Sequence, residues 1–245
     1  MYNLGRLTLA DMAHASTRLR KLGQGARSME EAAQRIVRLL YDEFGVPESR
    51  ERGCVLVRLY KTHRFGALPR DLQEFASTIA QSTLDERVAC LALLATVGVE
   101  PAWCVRERSQ GHRAIPLPSV DAVARLPMVA QLVSQLGYDV AQLVTPTATM
   151  LDANERTFNV FHVPEAAGSP CIPAQGFVEQ YAVKSVLGCG GQLPDGSLYA
   201  IIAFARVAIS RETAETFKPL ALAAKLALLP FLEATFAKDG DVERV

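Results

Sequence analysis

The sequence has no excess of charge of either sign. Its 245 residues carry 26 Lys and Arg against 26 Asp and Glu, and no basic run stands out. Binding to the phosphate backbone of a nucleic acid draws most of its affinity from clustered positive charge. The balance therefore disfavours a nucleic-acid partner and leaves only a small local patch as a basis for one.

Long hydrophobic runs are also missing. The most apolar stretches, 198–205 and 219–232, are interrupted or too short for a membrane-spanning helix. The N-terminus has no apolar segment behind a basic start, so it lacks the pattern of a secretory signal. With 49% hydrophobic and 21% charged residues, the composition is that of an ordinary globular protein. We expect a soluble, cytoplasmic protein that does not contact a membrane.

Cysteine is scarce, and motifs for metal binding or catalysis are absent. The five cysteines have no metal-binding or redox spacing: Cys54, Cys90, Cys104, Cys171 and Cys189. We expect free, mostly buried thiols in a reducing compartment. There is no GxSxG, HExxH, P-loop or dinucleotide fingerprint. These absences favour a protein that is not an enzyme and has no metal site, and they leave any cofactor unknown.

Helix signals dominate the first part of the chain. Thr8 with Asp11, and Ser28 with Glu31, have the spacing of capping boxes at the starts of two helices. Gly45 is placed to end the second helix in a left-handed conformation. We therefore assign 1–50 to an N-terminal helical segment.

Strands and helices then mix irregularly. Apolar and β-branched runs predict strands over 54–60, 88–97, 158–163, 184–189 and 197–204, the last two joined by a Pro-Asp-Gly turn. The run 88–97 also fits a helix, and we favour a strand because it stops at Gly98. Helices are predicted over 69–81, over 119–136 with a restart at Pro127, and after Ser210 with kinks at Pro219 and Pro230. This order indicates an α+β fold in which helices pack on a central antiparallel sheet.

The end of the chain resembles a known family. The strand 183–188, a turn, the apolar strand 196–202 and the helix near Glu212 resemble the terminal half of GAF domains. Segments 109–118 and 161–166 look like parts of GAF-type sensors found before bacterial histidine kinases. The resemblance implies a GAF-like or PAS-like domain over 51–237, followed by a disordered tail at 238–245. It also implies a small-molecule pocket over one face of the sheet and bundled N- and C-terminal helices, often dimeric, on the other.

Several known GAF chemistries lack their residues here. The cyclic-nucleotide signature of Asn, Lys, Phe, Asp and Glu is not found, and no cysteine precedes a histidine as in bilin attachment. The methionine-sulfoxide reductase branch needs grouped thiols, for which Cys171 and Cys189 are the candidates if they lie near one another. A kinase or other output domain is not present in the sequence, so we expect action through a partner, or a fragment of a larger sensor.

Candidate ligand residues lie in two segments, 109–118 and 162–175, with one cysteine outside them. Gly111 lets the backbone approach a ligand closely, Arg113 offers a fork for a carboxylate or phosphate, and the Pro-rich loop 164–176 predicts an ordered wall. Each candidate also has a structural interpretation, such as a hydrogen-bonded histidine in a sheet, a solvated loop or a buried thiol. The candidates are Ser109, His112, Arg113, His162, Glu165, Ser169, Cys171, Gln175 and Cys189.

Three functions follow from these features. The first is a sensory GAF-like domain of bacterial two-component signalling, in which a small molecule biases helix packing onto a histidine kinase, another signalling protein or a second subunit of a homodimer. The second is a ligand-free scaffold that dimerises through its apolar C-terminal helix. The third is a thiol-dependent reductase on the same fold.

Overall fold

The computed structural model describes residues 1–46, 51–145 and 159–236. The helices that it contains are α1 Leu9–Arg20, α2 Met29–Glu43, α3 Arg70–Ala80, α4 Val120–Ala124, α5 Pro127–Gln135, α6 Val140–Val144, α7 Gln175–Gln180, α8 Arg211–Glu215 and α9 Lys218–Leu228. The strands are β1 Tyr2–Asn3, β2 Phe44–Val46, β3 Glu51–Arg52, β4 Cys54–Arg64, β5 Ala89–Gly98, β6 Ala114–Leu117, β7 Val160–Val163, β8 Ser185–Gln192 and β9 Leu198–Ala205.

The predicted α+β fold with a central antiparallel sheet is confirmed. Six strands lie in the order β6-β5-β4-β9-β8-β7, and every neighbouring pair is antiparallel. The predicted hairpin is β8–β9, whose turn holds Gly196 at a φ of 82°. A smaller sheet joins β1, β2 and β3.

Helices cover both faces of the large sheet. Strand alternation places Val57 and Leu59 of β4 in the core that contains α1, α2 and α9. Leu56 and Tyr60 belong to the opposite core, which contains α4, α5 and α7. The predicted bundling of N- and C-terminal helices is confirmed, since α1 and α2 both contact α9.

The helix ends confirm some capping predictions and overturn others. Thr8 and Asp11 form the predicted reciprocal capping box. Ser28 Oγ accepts from the Glu31 amide at 3.2 Å, but Glu31 Oε2 accepts from the amide of Arg27, at 2.9 Å, instead of from Ser28. The prediction for Gly45 is wrong: α2 passes through an extended Phe44 directly into β2. Pairing of β2 with β1 and β3 satisfies that backbone, so a left-handed cap is not needed.

The longer elements after residue 53 follow the sequence closely, whereas several short elements do not. The run 88–97 is a strand, Pro127 starts α5, and the C-terminal helix is interrupted near Pro219 and Pro230. The sequence did not predict β1, β2, β3, α6 or α7, which have between two and six residues. Phe158 and the predicted tail 238–245 lie outside the described residues. Within the described ranges, no helix has the length and hydropathy needed to span a bilayer.

Candidate ligand pocket

A cavity of about 400 Å³ lies between the sheet and the helices α5 and α7. Its floor is formed by side chains of β4, β5 and β9, and its roof by α5 and the segment that enters α7. The lining residues are mostly apolar, and they include Leu56, Arg58, Tyr60, His112, Arg125, Met128, Leu132, Ala174 and Phe177. Such a concave apolar space with few polar groups is the usual form of a small-molecule site.

Aromatic rings close one side of the cavity. The ring of Phe177 lies 5.7 Å from that of Trp103 and 5.2 Å from that of Phe204, both in edge-on geometry. Tyr181 extends the cluster at 4.8 Å from Trp103. These contacts join α7 to the β9 strand and to the turn that follows β5, so the wall is packed on both sides.

The loop before α7 is held by the side chain of Gln175. Its Oε1 accepts from the amide of Gly168 at 2.8 Å, and its Nε2 donates to the carbonyls of Ile172 at 2.7 Å and Ala166 at 3.2 Å. One amide side chain therefore satisfies several backbone groups of the loop. This network makes the Pro-rich segment the ordered wall that its composition predicts.

Arg58 is the charged residue of the cavity floor. It is 9% exposed, and its Nη2 donates to Ser109 Oγ at 2.9 Å. Its Nη1 donates to Tyr60 Oη at 3.2 Å and to the carbonyl of Gly111 at 3.3 Å. Its buried Nε has no acceptor. Within the described part of the chain, all partners of this cation are neutral.

Two more basic residues line the cavity. His112 has a φ of 60°, which is uncommon for residues with a side chain, and this conformation carries its ring to the cavity. Desolvation of the ring, and then the positive charge of Arg58, lower the pKa of His112. The residue as a whole is nevertheless exposed where it lines the cavity. Arg125 at the end of α4 is also exposed there.

Five of the predicted site residues lie in or around this pocket. His112 lines it, Ser109 supports Arg58, and Gln175 orders the wall. Cys171 is buried in the same core, with its amide donating to Ser169 Oγ at 3.3 Å. Four predicted residues do not belong to this group, and one of them, Glu165, is exposed in the loop before α7.

The remaining three predicted residues point elsewhere. Arg113 forms an ion pair with Asp71 and lies 5.4 Å above the ring of Phe75, on the side of α3. His162 Nε2 lies 2.9 Å from the carbonyl of Ile209, at the start of the C-terminal helices. Cys189 belongs to the core on the helix-bundle side.

The two thiols considered for a reductase do not form a pair. Cys171 and Cys189 belong to cores on opposite faces of the sheet, so the grouping of thiols that the reductase alternative requires is not formed by these two residues. Burial raises the pKa of the Cys189 thiol to about 12 and also raises that of Cys171. Neither thiol is therefore activated as a thiolate.

The main residue that the sequence analysis missed is Arg58. Its signal was a single charge within the run Cys54-Val55-Leu56-Val57-Arg58-Leu59-Tyr60. Alternation places that charge on the same face as Leu56 and Tyr60, whereas a solvated face would carry further polar residues. A single charged residue on an otherwise apolar face of a strand indicates a functional site, and this pattern is visible in the sequence.

A second cavity of about 300 Å³ lies at the far end of β4. The buried Lys61 on its wall is paired with Asp195, with Nζ and Oδ2 3.2 Å apart. The charge there is already matched by a carboxylate, in contrast to Arg58. Among the described residues there is no group of three or more His, Cys, Asp or Glu side chains placed to hold a metal ion.

The comparisons with known proteins give remote likenesses in structure alone. No family model and no curated protein matches the sequence. The GAF domain of a Coxiella burnetii phosphoenolpyruvate-protein phosphotransferase shares 11% identity at a TM-score of 0.45, over 91% of this chain and 94% of that one. The corresponding Acinetobacter GAF domain shares 10% identity at 0.43, over 93% and 97%. A phycocyanobilin-bound GAF domain from a cyanobacterial phytochrome shares 10% identity at 0.44, over 89% and 92%.

These three solved structures are GAF domains, the family that the sequence resemblance names. Their TM-scores lie below 0.5. These likenesses therefore concern the fold alone.

Proposed function

We propose that this chain is a GAF-type sensory module rather than an enzyme. A small molecule fills the cavity and changes how α1, α2 and α9 pack on the opposite face of the sheet. Those helices act on a second subunit or on a signalling partner in the cytoplasm, such as a histidine kinase. One observation carries this function: a cavity of about 400 Å³, mostly apolar, lies on the same strands whose other face holds the helix bundle.

Strand β4 connects the two faces. Leu56, Arg58 and Tyr60 face the cavity, and Val57 and Leu59 between them face the helices. A ligand that displaces the floor by a fraction of an ångström therefore also displaces side chains under α2. Because packed cores resist continuous deformation, such shifts favour a discrete repacking of helices.

A side chain of α2 adds a polar link to the same place. Gln34 Nε2 donates to the carbonyl of Thr96 at 3.1 Å, and Gln34 Oε1 accepts from the Thr96 amide at 3.4 Å. Thr96 on β5 is the register partner of Arg58 on β4. A shift of β5 next to the cavity floor would therefore be transmitted to α2 through the hydrogen bonds of Gln34.

The proposal can be tested by a substitution that fills the cavity and does not replace a residue of the buried core. Ala174 lines the cavity and is exposed, so Ala174→Trp should occupy its space at little cost in folding. Ala167 is exposed in the same loop and does not line the cavity, so Ala167→Trp is the matched control. We expect the neutral fluorophore N-phenyl-1-naphthylamine to bind the native protein and Ala167→Trp, and to lose its binding in Ala174→Trp.

Hydrogen–deuterium exchange tests the coupling to the helices. Binding of the fluorophore should change the exchange of amides in α2, and Gln34→Ala should keep binding while reducing that change. Absent binding, or equal binding by both Trp variants, would refute the pocket. Binding with no change in α2 or α9 would refute the coupling.

A dimeric form is supported by the surface of α9. Leu222 and Leu226, four residues apart on this helix, are 44% and 41% exposed. We propose that these leucines pack against a second copy. Sedimentation equilibrium should show a dimer that is weakened by Leu222→Lys with Leu226→Lys, and a monomer of the native protein at high concentration would exclude it.

A further inference from the structure

Among the described residues, the charge on the cavity floor has no counter-ion. Arg58 is 9% exposed, its three acceptors in this part of the chain are a hydroxyl, a phenol and a backbone carbonyl, and its buried Nε has none there. Burying a guanidinium costs several kcal/mol unless an opposite charge compensates it. Neutral acceptors recover only part of that cost.

Three other cations of the described chain with little side-chain exposure provide an internal comparison. Arg106, whose side chain is 10% exposed, is paired with Glu30, Asp71 and Glu107. Arg113 at 16% is paired with Asp71, and Lys61 at 5% with Asp195. Carboxylates match these three cations, whereas Arg58, which borders the cavity of about 400 Å³, has no carboxylate partner among the described residues.

The other charge of the cavity lining has the same sign. Arg125 lines the cavity together with Arg58, and none of the lining residues in the described chain is Asp or Glu. The chain as a whole has equal numbers of acidic and basic residues. The positive sign therefore belongs to this pocket and not to the protein in general.

We infer that the ligand is an amphipathic anion, with a carboxylate or phosphate oxygen paired with the guanidinium of Arg58 and an apolar body beneath Met128, Leu132 and Phe177. This inference rests on the proposed function and names the chemical class of its ligand. An oxyanion would supply the missing counter-charge to the guanidinium. The apolar lining would bury the rest of the molecule.

Two related fluorophores separate charge from shape. 8-Anilinonaphthalene-1-sulfonate and N-phenyl-1-naphthylamine share the same ring system, and only the first carries an oxyanion. The native protein should bind the sulfonate more tightly. Arg58→Met should weaken the sulfonate by about tenfold or more, with little change for the neutral compound. Arg58→Gln provides a second neutral variant if the methionine variant does not fold.

Matched variants distinguish the possible failures. Arg38→Met removes an exposed positive charge from α2, on the other face of the sheet, and should leave the affinities of both fluorophores unchanged. If Ala174→Trp abolishes binding but Arg58→Met and Arg58→Gln leave the ratio of the two affinities unchanged, the inference is wrong and the pocket stands. If neither fluorophore binds the native protein, or if Ala174→Trp has no effect on either, the proposed function fails and the inference fails with it.

Discussion

Nη2 of Arg58 donates a hydrogen bond of 2.9 Å to Oγ of Ser109, a residue 51 positions further along the chain. Ser109 is itself 2% exposed, and its hydroxyl donates to the carbonyl of Gly111 at 3.3 Å. The floor of the cavity and the loop that leads to His112 are therefore held together by one polar cluster. This cluster lies entirely within the protein, so its disruption should be measurable as stability.

Ser109→Ala should lower the free energy of unfolding by about 1–2 kcal/mol, because it removes an acceptor from a buried cation. Urea denaturation measures the change, and Ser134→Ala on the exposed side of α5 is the control. In an Arg58→Met background the cost of Ser109→Ala should shrink, since the donor is gone. Equal costs in both backgrounds would show that the hydrogen bond contributes nothing.

Stability should fall in acid because of His63. Burial, and then the positive charge of Lys61, lower the pKa of His63 to about 3 against the opposing effect of Asp195. Its Nε2 has no hydrogen-bond partner among the described residues. An unfolded histidine takes up a proton near pH 6.5, so between pH 6.5 and pH 3 the unfolded state binds more protons than the folded state. Protonation of His63 in the unfolded state should therefore reduce the free energy of unfolding by up to about 1.4 kcal/mol per pH unit as the pH falls.

His63→Phe should flatten this acid limb, and the phenyl ring can keep the contact that His63 makes with Phe236 at 5.1 Å. Urea unfolding at several pH values between 7 and 4 measures the slope. His14→Phe, at an exposed position of α1, should retain the native slope. An unchanged slope in His63→Phe would assign the acid sensitivity to other groups.

Gly190 should not tolerate a side chain. A Cβ at this position of β8 would overlap the carbonyl oxygen of Tyr199 and lie 3.0 Å from Cα of Ala200, both in the backbone of β9. Gly190→Ala should therefore destabilise the protein by about 1–3 kcal/mol, because paired backbones cannot move aside cheaply. Gly176→Ala meets open space within α7 and should be neutral or stabilising. Melting temperatures that change alike in the two variants would contradict this view of the hairpin.

Thiol chemistry should be confined to one residue in the folded protein. Burial raises the pKa of Cys54, Cys90 and Cys189 to about 12, and Cys171 is also buried. Cys104 is partly exposed, so 5,5′-dithiobis(2-nitrobenzoate) should modify about one thiol rapidly in the native state and all five after unfolding. Cys104→Ser should remove the rapid phase. A rapid reaction that survives this substitution would reopen the reductase hypothesis for the buried thiols.

Much of the fold could be predicted because local signals are strong in this chain. The Thr8 capping box, the restart at Pro127 and the Pro-Asp-Gly hairpin all depend on residues close in sequence, and each is present in the structure. Gly45 is a position at which local sequence signals fail to predict the structure, because its conformation depends on pairing with strands from two other parts of the chain. Local propensity cannot anticipate such pairing.

The candidate site was predicted less completely for the same reason. The segments around His112 and Gln175 were identified by composition, but composition could not assign Arg113 to the far side of β6 or Cys189 to the helix-bundle face. By itself the sequence determined the balanced charge, the apolar material for two cores and the strand and helix signals. Only the tertiary structure decided that Arg58, Ser109 and Gly111 meet on the cavity floor with no carboxylate from the described residues beside them. The reason is that burial and charge pairing depend on contacts between residues far apart in the chain.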